Sequence, residues 1–217
     1  MISPRQIMVR SLSAPGWFIF GQQAESNSNK NRIKDIRCIR MSTLMTAYVA
    51  WVHSMPIYSA MVQFAILGTF GEVISKWVVN KNFKYPFSFA ITLWKMMVWA
   101  ILAIGIKYAF KGFIGYVGYL EEHGLLPNLS KFGKAFAISA FMNLQFGITL
   151  VLAHRAMDNI PEKHKNWKNL HKGIFSLIWF WIPAHTVTFM LPDIYRIGLA
   201  ALWSLVLGLI LGFFNRK

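Results

Sequence analysis

The chain is poor in cysteine, in acidic residues and in charged residues overall. Cys38 is the single cysteine among 217 residues, so neither an internal disulfide nor a cysteine metal cluster can form. Charged residues make up only 14% of the chain and apolar residues 55%, which is unusual for a soluble domain. The sequence shows no phosphate-cradling glycine loop, no metal-ligand spacing and no recognisable catalytic motif. We therefore predict no enzymatic activity, no cofactor and no metal.

Long apolar windows are what the chain has instead. A helix that crosses a bilayer needs about 20 mainly apolar residues. Five windows approach this length with at most two charged residues each: 57–79, 86–106, 135–153, 173–191 and 197–215. This pattern predicts an all-α, polytopic integral membrane helix bundle with four to five transmembrane helices.

Basic residues outnumber acidic residues by 23 to 8, which gives a formal net charge of +15. Most of these cations lie in the N-terminal region or in loops beside the apolar windows, where Lys and Arg commonly meet anionic headgroups. The expected partners are membrane lipids, with a small solute and a second copy of the chain as further candidates, and not nucleic acid.

Residues 1–40 differ from the rest in being polar and basic. They are interpreted as a disordered tail, as an upstream extension before a start at Met41, or as a targeting segment rich in Arg and Ser. Residues 41–217 are predicted to form one transmembrane helical domain, with an amphipathic lead-in over 42–54 and Pro56 at the start of the first span. The positive-inside rule gives opposite orientations for the two possible starts.

Two charges fall well inside predicted spans. Glu72 and Lys95 lie equally far from the centre of the turn between the first two spans, so both sit roughly 17 Å from it in an antiparallel pair. Because an unpaired charge in a span is costly, we predict a Glu72–Lys95 contact. Two alternatives stay open: Lys76 as the partner of Glu72, or a Lys95 that reaches the interface alone.

The most unusual segment is 179–196, which mixes apolar residues with Pro183, His185, Pro192, Asp193 and Arg196. Each proline removes a backbone donor, so carbonyls in the preceding turn need other partners. His185 is interpreted either as a polar group lining a pore or, preferentially, as a partner for a freed carbonyl. Asp193 and Arg196 could pair across one turn, or they mark the membrane boundary between the last two spans. The segment is predicted to pack against the span that carries Glu72.

Glycines mark two candidate packing faces. Gly112, Gly115 and Gly118 recur at helical spacing, which would permit close backbone approach. Gly208 and Gly212 form a GxxxG pattern in the last window, which also favours tight helix packing.

These motifs resemble the peroxisomal membrane 22-kDa protein family of Mpv-seventeen-like integral membrane proteins. The likeness covers most of 41–217, with Glu72 where that family has aspartate and with Ile182 between the tryptophan and the proline of its later motif. The residues that carry it are Pro56, Gly71, Glu72, Trp167, Trp181, Pro183, Phe189, Pro192, Tyr195 and Arg196. The resemblance implies four core spans and a channel-like role.

Our functional hypothesis is a channel or carrier for small solutes across an inner membrane, either the bacterial cytoplasmic or the mitochondrial inner membrane. The alternative is a scaffold or interaction protein that transports nothing. The candidate residues for a pore or a polar core are Glu72, Lys95, His185, Asp193 and Arg196.

Overall fold

The computed structural model describes residues 40–163, 165–168 and 170–214. In this part of the chain all regular structure is helical, which confirms the predicted all-α bundle. The predictions made for residues 1–39, including the tail, the targeting segment and the upstream extension, lie outside the described residues.

The chain divides into two compact units, Met1–Ala50 and Trp51–Lys217. Of the first unit, residues 40–50 are described and are helical; this helix, α1, covers residues 40–54 and so includes the lead-in predicted at 42–54. The second unit contains five helices that are long and apolar enough to cross a membrane. They are α2 (Pro56–Asn80), α3 (Phe89–Glu122), α4 (Lys131–Asp158), α5 (Leu170–Met190) and α6 (Asp193–Phe214).

Local sequence explains where these helices begin and end. Pro56 opens α2, where its missing N–H costs nothing. α2 stops before Lys81, which has a φ of 55° in the left-handed region. Ser88 and Ser130 cap α3 and α4, because their hydroxyls accept from first-turn N–H groups at 3.4 and 3.1 Å.

Two of the spans contain a widened π-helical turn. In α4 it covers Asn143–Gly147, in α5 it covers Leu177–Trp181, and the two turns contact each other. The turn in α5 directly precedes Pro183, whose ring and missing N–H disturb the preceding turn as predicted. Pro183 does not break α5, however; the chain leaves the helix only at Leu191 and Pro192.

Glycines bring α2 and α6 into backbone contact. A Cβ on Gly71 would lie 2.6 Å from the Ser204 carbonyl oxygen, and one on Gly208 would collide with the Gly71 backbone. A Cβ on Gly212 would lie 2.8 Å from Val78. The packing role predicted for Gly208 and Gly212 is therefore confirmed. These glycines allow α6, the last span, to pack closely along α2, the helix that carries Glu72.

Two other packing predictions are wrong. The segment around Pro183 packs mainly on Lys131–Met142 of α4, and the span that lies along α2 is α6. A Cβ added at Gly112, Gly115 or Gly118 meets nothing within 4 Å, so these glycines face open space instead of a neighbouring backbone. Periodicity identifies a face of small residues, but it does not say which face another helix covers.

Candidate functional site

Three helices bring oppositely charged side chains together within the second unit. Lys95 Nζ on α3 lies 2.5 Å from Glu72 Oε2 on α2 and 3.2 Å from both carboxylate oxygens of Asp158 on α4. The predicted Glu72–Lys95 contact is thus present. Lys76, the alternative partner, is exposed, and the ion pairs of Glu72 are with Lys95 and His154.

The second oxygen of Glu72 faces an aromatic wall. Trp99 Nε1 donates to Glu72 Oε1 at 2.8 Å, one turn along α3 from Lys95. His154 Nε2 lies 3.3 Å from the same oxygen and 3.8 Å from Asp158 Oδ2, and its ring centroid is 4.6 Å from that of Trp99. We call Glu72, Lys95, His154 and Asp158 the charged cluster. Each of its side chains is at most a quarter exposed.

His154 and Asp158 are members of this cluster that sequence reasoning missed. The predicted window for this span ends at residue 153, whereas α4 continues to Asp158 and carries both side chains inward. Their spacing of four residues, at the end of an apolar window, puts them on one helical face. That spacing was the signal in the sequence that could have identified them. Only the position of α4 in the fold showed that this face is directed toward Glu72 and Lys95.

The cluster also contains the donors of a conceivable metal site. Single ligand atoms of Glu72, His154 and Asp158 all lie within 4.8 Å of one another. The Lys95 ammonium, however, already contacts both carboxylates and would repel a second cation placed between them. The geometry therefore favours an internal ion-pair network over a resident metal.

His185 is buried in the middle of the second unit, and its partner differs from the preferred expectation. Its Nδ1 lies 3.1 Å from the Asn143 side-chain nitrogen, so an amide partners this histidine and not a freed carbonyl. The Ile182 carbonyl, one residue before Pro183, accepts from the hydroxyls of Ser139 and Thr186, both at 2.7 Å. Hydroxyls from the same and the neighbouring helix thus supply hydrogen bonds beside Pro183.

A cavity of about 310 Å³ connects the charged cluster to His185. Residues from all five spans border it, including Glu72, Trp99, Asn143, Trp181 and Ser204. Glu72, His154, Arg155 and Asp158 make one part of its wall polar, and Phe64, Phe110, Phe146, Trp99 and Trp181 supply aromatic walls. We call this space the central cavity.

Asp193 and Arg196 lie apart from the central cavity. Arg196 Nη1 is 3.6 Å from Asp193 Oδ1, which confirms the pairing across one turn. The Arg196 Nε also donates to the Leu191 carbonyl at 2.9 Å, so the Arg196 side chain supplies a hydrogen-bond partner for a carbonyl at the C-terminal end of α5. Asp193 in turn pairs with Lys111 of α3 at 2.8 Å. Asp193 and Arg196 therefore stabilise the connection between α5 and α6.

The residues that carry the family resemblance are spread over the second unit. Trp181 borders the central cavity, whereas Phe189, Pro192 and Arg196 border a second cavity near the end of α5. Trp167 is 48% exposed in the loop between α4 and α5. Among the described residues they thus do not assemble into a single site.

These features define the class of protein: an integral membrane protein whose five spans border a cavity with Glu72, His154 and Asp158 of the charged cluster in its wall. Comparison with known proteins gives no match to a family model, to a curated protein or to a solved structure. The particular function therefore has to be argued from the central cavity.

Proposed function

We propose that this protein carries a small polar solute across its membrane by way of the central cavity. The observation that supports this proposal is a cavity of about 310 Å³ bordered by all five spans. Small-molecule sites start at about 300 Å³. The solute would thus be a hydrated ion or a small metabolite.

The charges in the cavity wall support a polar occupant. An ionised side chain within a span is costly, up to about 2.5–3.5 kcal/mol at the centre of the span on insertion scales, and a buried ion pair contributes little net stability. A bundle that only had to pack would gain little from Glu72 and Asp158, the two carboxylates that border the cavity. A path for a polar solute gains from them, because they hold water and bind the solute during passage.

The two π-helical turns support the same proposal. Both contribute to the lining of the central cavity, Asn143 and Gly147 from α4 and Leu177 and Trp181 from α5. Single π turns inside α-helices occur frequently at functional sites. The resemblance to the peroxisomal membrane 22-kDa protein family, whose relatives include inner-membrane channels, is in agreement.

Flux through proteoliposomes tests the proposal. Purified protein would be reconstituted, and the vesicles assayed for K⁺, Cl⁻, glycerol and small carboxylates against empty vesicles. We expect at least one solute to move faster with protein present. Filling the cavity with Leu207→Trp should lower that flux about tenfold, because pore diameter limits passage.

Leu209→Trp is the matched control. It makes the same change two residues along α6, at a side chain that is 42% exposed and does not border the cavity. Its flux should stay at the wild-type level. Absence of flux for every solute, or equal flux in both variants, would overturn the proposal and favour the scaffold alternative, in which the charged cluster only joins helices.

A further inference from the structure

We propose that the second cavity binds one anionic phospholipid. This cavity of about 410 Å³ lies among α3, α4, α5 and the start of α6. Its apolar part is formed by Ile114, Ala135, Ile138 and Phe189, and basic side chains border it at Lys131, Lys134 and Arg196. An acyl chain fits the apolar part, and a phosphate fits the basic border. The inference is independent of solute transport.

Position in the fold argues for a lipid as the occupant. The cavity lies where α4 begins at Lys131 and where α5 ends at Met190. The ends of spanning helices meet the membrane–water interface, where phospholipid headgroups lie. Phe132, next to Lys131, is 59% exposed, so an apolar ring also faces outward at this end of α4.

Charge complementarity selects an anionic headgroup. Lys134 pairs with Glu121, and Asp193 is shared by Lys111 and Arg196. Lys131 has no acidic partner within 4.0 Å in the part of the chain that the structure describes. Three cations thus border the cavity, and two of them, Lys134 and Arg196, pair with a carboxylate, which leaves the charge of Lys131 available for an anionic headgroup.

The first turn of α4 adds backbone donors to this border. The Ser130 hydroxyl accepts from the Gly133 N–H, and the N–H groups of Lys131 and Phe132 also point toward the N-terminal end of the helix. Such donors, together with Lys and Arg, suit a phosphate oxygen. Basic pockets between spans are known to bind anionic headgroups.

Native mass spectrometry of the purified full chain in detergent tests this site. Dioleoyl phosphatidylglycerol and dioleoyl phosphatidylcholine would be titrated separately. We expect one phosphatidylglycerol per chain, bound about tenfold more tightly than phosphatidylcholine. Lys131→Glu should reduce this preference to about twofold or less, because it reverses the charge that has no acidic partner.

Lys84→Glu is the matched control, since it reverses an exposed lysine in the α2–α3 turn and should keep the preference. Met190→Trp, which fills the cavity from a side chain that is 38% exposed, should weaken both lipids. Circular dichroism and gel filtration would establish that each variant is folded. An unchanged preference in folded Lys131→Glu overturns the proposal, and so does displacement of the lipid by excess inorganic phosphate.

Discussion

The two charged regions of the second unit use the same side-chain types in different surroundings. In the charged cluster, the Lys95, Glu72 and Asp158 side chains are 12, 22 and 20% exposed. In the network between α3 and the start of α6, Lys111 and Asp193 are 58 and 49% exposed. Both regions contain a lysine in contact with a carboxylate, at 2.5 and 2.8 Å respectively.

This difference shows that the N–O distance alone does not determine how much an ion pair contributes to stability. Water screens the Lys111–Asp193 pair, so its net contribution is close to zero. The Lys95 ammonium is largely removed from water, so removal of one partner leaves charges that nothing else compensates. The first region is therefore expected to contribute more to the stability of the fold, and the second joins α3 to the start of α6.

Removal of Lys95 should have the largest effect. Lys95→Met leaves Glu72 and Asp158 facing each other without a cation, and we expect a loss of about 3–5 kcal/mol in the free energy of unfolding. The measurement is unfolding in mixed micelles of dodecyl maltoside and SDS. Lys111→Met is the matched control; equal losses in the two variants would remove the distinction between the regions.

Exchanging the charges of Glu72 and Lys95 should not restore stability, because Asp158 also contacts Lys95. Glu72→Lys with Lys95→Glu restores an opposite pair but places the new carboxylate beside Asp158, 3.2 Å from the position of the present ammonium. We expect the double variant to remain destabilised by about 2–4 kcal/mol. Addition of Asp158→Asn should recover at least half of that loss in the same assay. Full rescue by the double variant alone would contradict a bridging role for Lys95.

Glycines next to the two regions should respond oppositely to alanine. Gly71 precedes Glu72 and contacts the α6 backbone, so Gly71→Ala should cost about 1–3 kcal/mol through overpacking. Gly112 follows Lys111 and faces open space, so Gly112→Ala should be neutral or stabilise the fold by up to about 1 kcal/mol. A cost at Gly112 similar to that at Gly71 would reveal a covered face on α3.

The smallest effect belongs to Lys111. Lys111→Met should change the free energy of unfolding by about 0–1 kcal/mol, because the pair is exposed. Raising the ionic strength to about 1 M should abolish even this difference, since the Debye length falls to about 3 Å. Persistence of the difference at high salt would mean that lipid or detergent shields the pair from the solvent.

The sequence predicted the spans and one long-range contact correctly, and it missed most of the site. Glu72 and Lys95 could be paired because a short turn joins their helices. Equal numbers of residues from that turn place both side chains at a similar depth. Asp158 lies 63 residues from Lys95, and no spacing rule connects them. His185 was recognised as special, but its partner Asn143 lies on another helix.

By itself, the sequence determined that the chain forms apolar helices of membrane-spanning length and where most of them begin and end. These properties are local, because a helix satisfies its own backbone and its insertion depends on composition within about 20 residues. The tertiary structure alone decided which faces meet. A π turn adds a residue to a helix and so rotates everything after it by roughly 100°. Contacts between faces further depend on the crossing of whole helices, as where Gly71 meets α6 and Asp158 reaches Lys95.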